Sequence, residues 1–191
     1  MPTIEQLLQW DQELFLYLNN LGTPVWDWFW VFITHKFAAI PMYAYLLYLL
    51  YKNYNLKTLG ITLVFIALLI TATDQLANVF KDAFARPRPC KEDFMAQGRF
   101  LMDYCGKYGY FSAHAASSTA LAIFLGNILK KWYKSAFPLL LIWAMLVSYS
   151  RIYVGKHYPG DVITGILIGS LIGFLFYKLH QISINKLNAK A

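Results

Sequence analysis

Long apolar runs separated by short polar links dominate this chain. A bilayer core takes about 20 apolar residues as a helix, and runs at 25–51, 59–80, 112–129, 136–154 and 162–177 meet or approach that length. The pattern predicts an all-α, polytopic membrane helix bundle with five transmembrane helices. The first run is over-long and carries His35 and Lys36, so it reads either as one span or as an interfacial turn followed by a shorter span from near Phe37. Ahead of it, in 1–22, Ile4, Leu7, Leu8, Phe15 and Leu18 recur at roughly helical spacing among acidic and amide residues. That is the pattern of an amphipathic helix lying on the membrane. Trp26, Trp28 and Trp30 suit an interfacial aromatic belt.

Composition sharpens the reading. Of the 191 residues, 58% are hydrophobic and 14% charged, with a mean hydropathy of +0.42, outside the balance of a soluble domain. A net charge of +7 would suggest nucleic acid in a soluble protein. Here the cations sit mostly between apolar runs, so topology explains them and no nucleic-acid partner is expected. Glu5, Asp11 and Glu13 precede any Lys or Arg, unlike a cleavable leader, and the chain is expected to start near Met1. With no repeat and no long linker, 1–191 reads as one domain.

Cytoplasmic loops accumulate Lys and Arg. Lys52 and Lys57, the link with Lys130, Lys131 and Lys134, and the tail with Lys178, Lys186 and Lys190 hold eight cations and no acid. The other nine cations fall mostly in segments assigned below to chemistry. Setting those aside puts the C-terminus in the cytoplasm and the loop 81–111 outside. Cys90 and Cys105, the only cysteines, both fall in that loop. They are either a disulfide, which would close a loop of about 16 residues and contribute roughly 3 kcal/mol, or two free thiols.

Three polar clusters are predicted at the outer ends of spans, where ionisable groups are costly and therefore functional suspects. The first is Lys81, Arg86, Pro87, Arg88 and Pro89. The second is Ser112, Ala113 and His114. The third joins Ser150 and Arg151 to His157 and Asp161. Lys81, Arg88 and Arg151 suit a phosphoryl group, since guanidinium forks match phosphate oxygens, and the flanking prolines stiffen the segment around Arg88. Lys81 and Arg86 read equally well as cations meeting lipid headgroups. Ser112 stands where an N-cap would be, and the amides near Ala113 and His114 would point at an anion; it reads alternatively as a cap alone. Asp161, four residues after His157 across Pro159 and Gly160, could fix the imidazole tautomer and leave the other nitrogen free to attack phosphorus. His114 could then protonate the leaving oxygen. His35 and His180 have no such company and read as surface or interfacial residues.

Lys81 followed after six residues by Arg88-Pro89, then Ser112-Ala113-His114, then Ser150-Arg151 with His157 and Asp161 at fixed spacing, resembles the type 2 phosphatidic acid phosphatase family, PAP2. The family usually has Pro-Ser-Gly-His in the middle motif, where this chain has Phe111-Ser112-Ala113-His114. Ala in place of Gly adds a methyl group beside the proposed phosphate site. The resemblance implies a metal-independent phosphatase of lipid phosphates or diphosphates that needs no cofactor. It implies His157 as nucleophile forming a phosphohistidine, Asp161 as its support, and His114 as general acid and then base. Lys81, Arg88, Ser112, Arg151 and amides near Ala113 would hold the phosphate.

It also implies a bacterial cytoplasmic-membrane enzyme with its site facing the periplasm or exterior, whose partners are the bilayer and a membrane lipid phosphate, with no obligate protein partner. Among the family's bacterial substrates, the small chain and short outer loop favour undecaprenyl diphosphate over phosphatidylglycerol phosphate, phosphatidic acid or lipid A phosphates. Two rival readings remain: His114, His157 and Asp161 around a metal, which three nearby cations oppose, and a transporter or headgroup binder without chemistry.

Overall fold

The first helix starts where Thr3 closes a capping box. Gln6 N–H donates to Thr3 Oγ1 at 3.2 Å and Thr3 N–H to Gln6 Oε1 at 2.9 Å. The computed structural model describes residues 2–35 and 37–189. Met1, Lys36 and Lys190, on which parts of the sequence reading rest, lie outside them. The described residues form α1 (Ile4–Asn20), α2 (Pro24–Thr34), α3 (Ile40–Asn53), α4 (Leu56–Phe84), α5 (Ala113–Leu129), α6 (Ala136–Tyr153) and α7 (Pro159–Asn188). They contain no β-strand. The link from α4 to α5 carries two short 3-10 turns, an isolated bridge between Pro87 and Tyr108, and a disulfide joining Cys90 to Cys105.

The all-α membrane bundle is present, but the run 25–51 is not one span. It divides into α2 and α3 around His35 and residues 37–39. Pro24 and Pro41 each fall in the first turn of their helix, where a missing N–H breaks no intrahelical bond. A helix continued through Pro41 would lose a bond and clash with the preceding turn. By length and composition α4, α6 and α7 are able to cross a membrane, and α5 is apolar but only 17 residues long.

Two further expectations are corrected. The amphipathic helix does not simply lie on a membrane. Ile4, Leu7 and Leu8 are exposed, but Phe15 is fully buried against Ile152, Tyr158 and Val162. Asn19, also buried, donates to the carbonyls of Arg99, Ile152 and Tyr153 at 2.9 to 3.0 Å. α1 is therefore stapled to the end of α6 by hydrogen bonds that a buried amide must make. His180 is not at a surface: it is fully buried, 2.9 Å from Thr62 Oγ1, with Phe65 and Phe124 edge-on to its ring. The reason is that α7 continues beyond the expected end near Tyr177 to Asn188, carrying His180 against α4 instead of into a tail.

α5 is the central helix, buried along most of its length. Its small residues Ala116 and Ala120 face Gly165, Gly169 and Gly173 of α7. A Cβ at Gly165 would stand 2.6 Å from the Ser112 carbonyl oxygen, and one at Gly173 2.6 Å from that of Ala120. Small residues at four-residue spacing thus let the two backbones touch, as in membrane helix pairs generally. This contact sets the start of α5 against the start of α7.

Candidate active site

Because successive helices alternate in direction, the end of α4, the start of α5, the end of α6 and the start of α7 meet at one end of the bundle. Asp161 is fully buried in the first turn of α7 and gathers its neighbours. One carboxylate oxygen accepts from Tyr158 N–H at 3.2 Å and lies 3.3 Å from His157 Nδ1. The other accepts from Arg86 Nη1 at 2.9 Å. Its backbone carbonyl accepts the Ser112 N–H at 3.0 Å, which joins the second and third clusters directly. Gly109 closes over the pair: a Cβ there would meet Asp161 Oδ2 at 3.0 Å and His157 Nδ1 at 3.7 Å.

His157 is 2% exposed. Its Nε2, on the side away from Asp161, lies 3.2 Å from Arg88 Nη1. Burial, and after it the charges of Arg88, Arg151 and Lys81, hold the imidazole well below its ordinary pKa, so the ring is neutral near pH 7. A neutral ring with Nδ1 directed at a carboxylate presents Nε2 as a lone pair.

Arg88 is fixed by its own backbone surroundings. Nε donates to the Tyr108 carbonyl at 2.9 Å and Nη1 to that of Lys156 at 3.3 Å. Arg151 is buried, 4% exposed, donates Nη1 to Thr34 Oγ1, and leaves Nε without a protein partner. Among the described residues neither arginine forms an ion pair with a carboxylate. Two neighbouring guanidinium groups, one of them buried, are unfavourable unless an anion compensates them. Lys81 Nζ donates to Asn78 Oδ1 at 3.3 Å and lies within electrostatic reach of both arginines.

Ser112 caps α5, its Oγ accepting from Ala115 N–H at 3.4 Å. The first-turn amides of Ala113 and His114 have no carbonyl within the helix to bind, and the positive end of the helix dipole lies there. The His114 side chain is exposed within a cavity of about 300 Å³ that it shares with Ala113, Ser117, Asp74 and Gln75. It is within electrostatic reach of Arg151 and Lys81 and near His157. Thus Arg88, His157 and Asp161 are in direct contact, Ser112 joins through the backbone, and Lys81, Arg151 and His114 border the same place. His35 is exposed and, against the reading from sequence, shares with His114 and Thr34 the lining of a cavity of about 170 Å³. Among the described residues no three His, Cys, Asp or Glu side chains gather in a way that could hold a metal.

Asp11 belongs to this site without having been singled out. Arg86, placed by sequence in the first cluster and read equally well as a cation meeting lipid headgroups, bridges Asp161 and Asp11, the latter at 2.7 Å. Only its position two residues before Arg88 hinted at a role. Nothing in the spacing of the acids in α1 connects Asp11 to a turn 149 residues away in sequence.

A family model described as the PAP2 superfamily matches residues 60–184, a stretch containing every motif residue. The lipid A 4'-phosphatase of Bacteroides thetaiotaomicron is 40% identical over 182 residues, covering 91% of this chain and 78% of that protein. The undecaprenyl-diphosphatase of Sulfolobus acidocaldarius is 36% identical over 180 residues, covering 93% and 82%. Among solved structures, LpxE of Aquifex aeolicus superposes with a TM-score of 0.67 at 26% identity, over 87% of this chain and 93% of that one. A PAP2-type phosphatidylglycerolphosphate phosphatase from Bacillus subtilis shares the fold, with a TM-score of 0.71 at 20% identity over 92% and 86%. A membrane-type helix bundle with a phosphatase family's motifs at one end is the class so defined. The chain belongs to the PAP2 superfamily and is an enzyme of the membrane lipid phosphatase kind.

Proposed function

We propose that this enzyme removes a phosphate group from a membrane lipid by way of a phosphohistidine at His157. The observation that carries the reading is the pairing of His157 Nε2 with Arg88 at 3.2 Å, beside a buried Arg151 that lacks a carboxylate partner. An oxyanion held by those guanidinium groups sits within bonding reach of a neutral imidazole. Nε2 attacks phosphorus, and the bond from phosphorus to the lipid oxygen breaks. His114 donates a proton to that oxygen. Asp161 accepts the Nδ1–H and offsets the charge that develops on the ring. In the second half His114 takes a proton from water, the hydroxide attacks phosphorus, and the P–N bond breaks to return His157 and release inorganic phosphate. Lys81, Arg88, Arg151 and the α5 amides stabilise charge on the equatorial oxygens throughout.

In this reading α3 and α5 complete five crossings with α4, α6 and α7. The site faces the periplasm of a bacterial inner membrane and the C-terminus lies in the cytoplasm. The 4'-phosphate of a lipid A-type glycolipid is the favoured substrate, supported by the 40% identity to an enzyme of that name. Undecaprenyl diphosphate, expected from chain size, is the second reading, supported by the 36% identical Sulfolobus relative. Phosphate release by purified protein from lipid A, undecaprenyl diphosphate, phosphatidic acid and phosphatidylglycerol phosphate, with His157→Ala as control, tests both. Fastest release from lipid A is expected. Fastest release from undecaprenyl diphosphate would reverse the order, and turnover by His157→Ala would overturn the mechanism.

A further inference from the structure

The amino-terminal helix reaches the catalytic turn through one carboxylate. Asp11 Oδ2 accepts from Arg86 Nη2 at 2.7 Å and Asp11 Oδ1 accepts from Gly160 N–H at 2.7 Å. Arg86 uses its other terminal nitrogen on Asp161 Oδ1 at 2.9 Å, and Asp161 Oδ2 faces His157 Nδ1 at 3.3 Å. The guanidinium also lies over the Tyr158 ring, 3.9 Å from its centroid. A Cβ on Gly160 would come within 2.8 Å of Asp11 Oδ2, so a larger residue there would push the carboxylate aside. Asp11 and Arg86 are mostly shielded, with side chains 15% and 17% exposed, and Asp161 is fully buried.

Resting on the phosphohistidine reading, we propose that Asp11 and Arg86 are positioning residues, and that α1 holds the nucleophile in register by the chain Asp11–Arg86–Asp161–His157. Asp11 lies outside residues 60–184, the part that matches the family model. The physical case is one of competition. Asp161 is asked to orient His157, but it also lies within reach of the charges of Arg86 and Arg88. Arg86 occupies the oxygen that does not face the imidazole, so Asp161 cannot rotate to offer both oxygens to one partner. Arg86 would itself be free to turn toward the phosphate or toward Asp161 in a bidentate fork. Asp11 prevents this by holding its second nitrogen. By accepting Gly160 N–H, Asp11 also fixes the turn from which both His157 and Asp161 project. Neither residue touches the phosphate cradle of Arg88, Arg151 and the α5 amides, so its loss acts on the rate and leaves binding alone.

The test is a double-mutant cycle on kcat and KM, using whichever of the four lipids above the wild-type protein hydrolyses fastest. Removing a group that orients a reacting imidazole through an intermediary costs on the order of tenfold in rate. Asp11→Ala is expected to lower kcat by about that factor, with KM within roughly twofold of wild type. Asp11→Glu should recover part of the loss. Because the two residues act largely as one chain, with Asp11 adding only its hold on Gly160, Asp11→Ala combined with Arg86→Ala should be slower than Arg86→Ala by much less than the loss Asp11→Ala causes alone. If Asp11→Ala does not fold, Asp11→Asn, which keeps an acceptor for Gly160 but not the charge, carries the same comparison. Full kcat in the Asp11 variants, losses that multiply in the double variant, or a change confined to KM would overturn the inference. His157→Ala separates this from the parent reading. If it is inactive while Asp11 variants are normal, only the positioning role fails; if it retains turnover, the nucleophile assignment fails.

Discussion

Arg88 Nη1 stands 3.2 Å from His157 Nε2, two basic groups in direct hydrogen-bonding contact at the edge of the proposed phosphate site. The contact is tolerable because burial and the surrounding cations keep the imidazole neutral. In the proposed mechanism an oxyanion bound by the guanidinium brings phosphorus to the ring nitrogen.

Arg88 is held by two backbone carbonyls and presents a planar fork. Arg88→Ala should therefore reduce kcat/KM by roughly a hundredfold or more, the scale of removing one transition-state donor. Arg88→Lys should restore little, because an ammonium cannot reproduce the fork. Steady-state kinetics of both variants check this.

The disulfide anchors the start of the segment that backs this arginine. A Cβ on Gly106, next to Cys105, would lie 3.0 Å from Arg88 Nε. Cys90→Ser with Cys105→Ser is expected to cost about 3 kcal/mol of stability and to raise KM, as the loop carrying the Tyr108 carbonyl loosens. Thermal melts and kinetics in detergent, with and without reductant, measure both.

The lowered pKa of His157 carries a sign for stability. The unfolded ring protonates below pH 6.5 while the folded ring, facing Arg88, Arg151 and Lys81, resists. The unfolded state then binds more protons, so stability falls as pH drops through 6.5 toward the folded pKa, and this group contributes no slope above that window. Melting temperatures of wild type should drop more steeply in that acid range than those of His157→Ala, whose remaining groups are unchanged.

The meeting of the three motif clusters was legible because it follows from residue type and spacing: His157 and Asp161, four apart across a Pro-Gly turn, are able to reach one another. The α1 contributions were not. Asp11 and Asn19 act through contacts over more than a hundred residues of sequence, and periodicity reports only which face of a helix is apolar. The division of the first apolar run was half visible, in His35 and Lys36. His180 was misread because an isolated histidine near a chain end carries no signal of the Thr62 hydroxyl awaiting it.

The glycine stripe of α7 offers a packing test away from chemistry. Gly169 sits against the backbone of Ala116, so Gly169→Val should destabilise by about 1–3 kcal/mol through overpacking. It should also lower kcat, since the same helix contact sets Ser112 against Asp161. Melting and kinetics on one preparation would show the two losses together.

The central claim is a covalent bond from phosphorus to His157. Rapid acid-free quenching of the enzyme with a lipid substrate labelled in its phosphate, followed by peptide mapping, measures it directly. The account predicts label on the peptide holding His157, lost in acid and retained in alkali. Label absent under turnover, or present in His157→Ala, would contradict it.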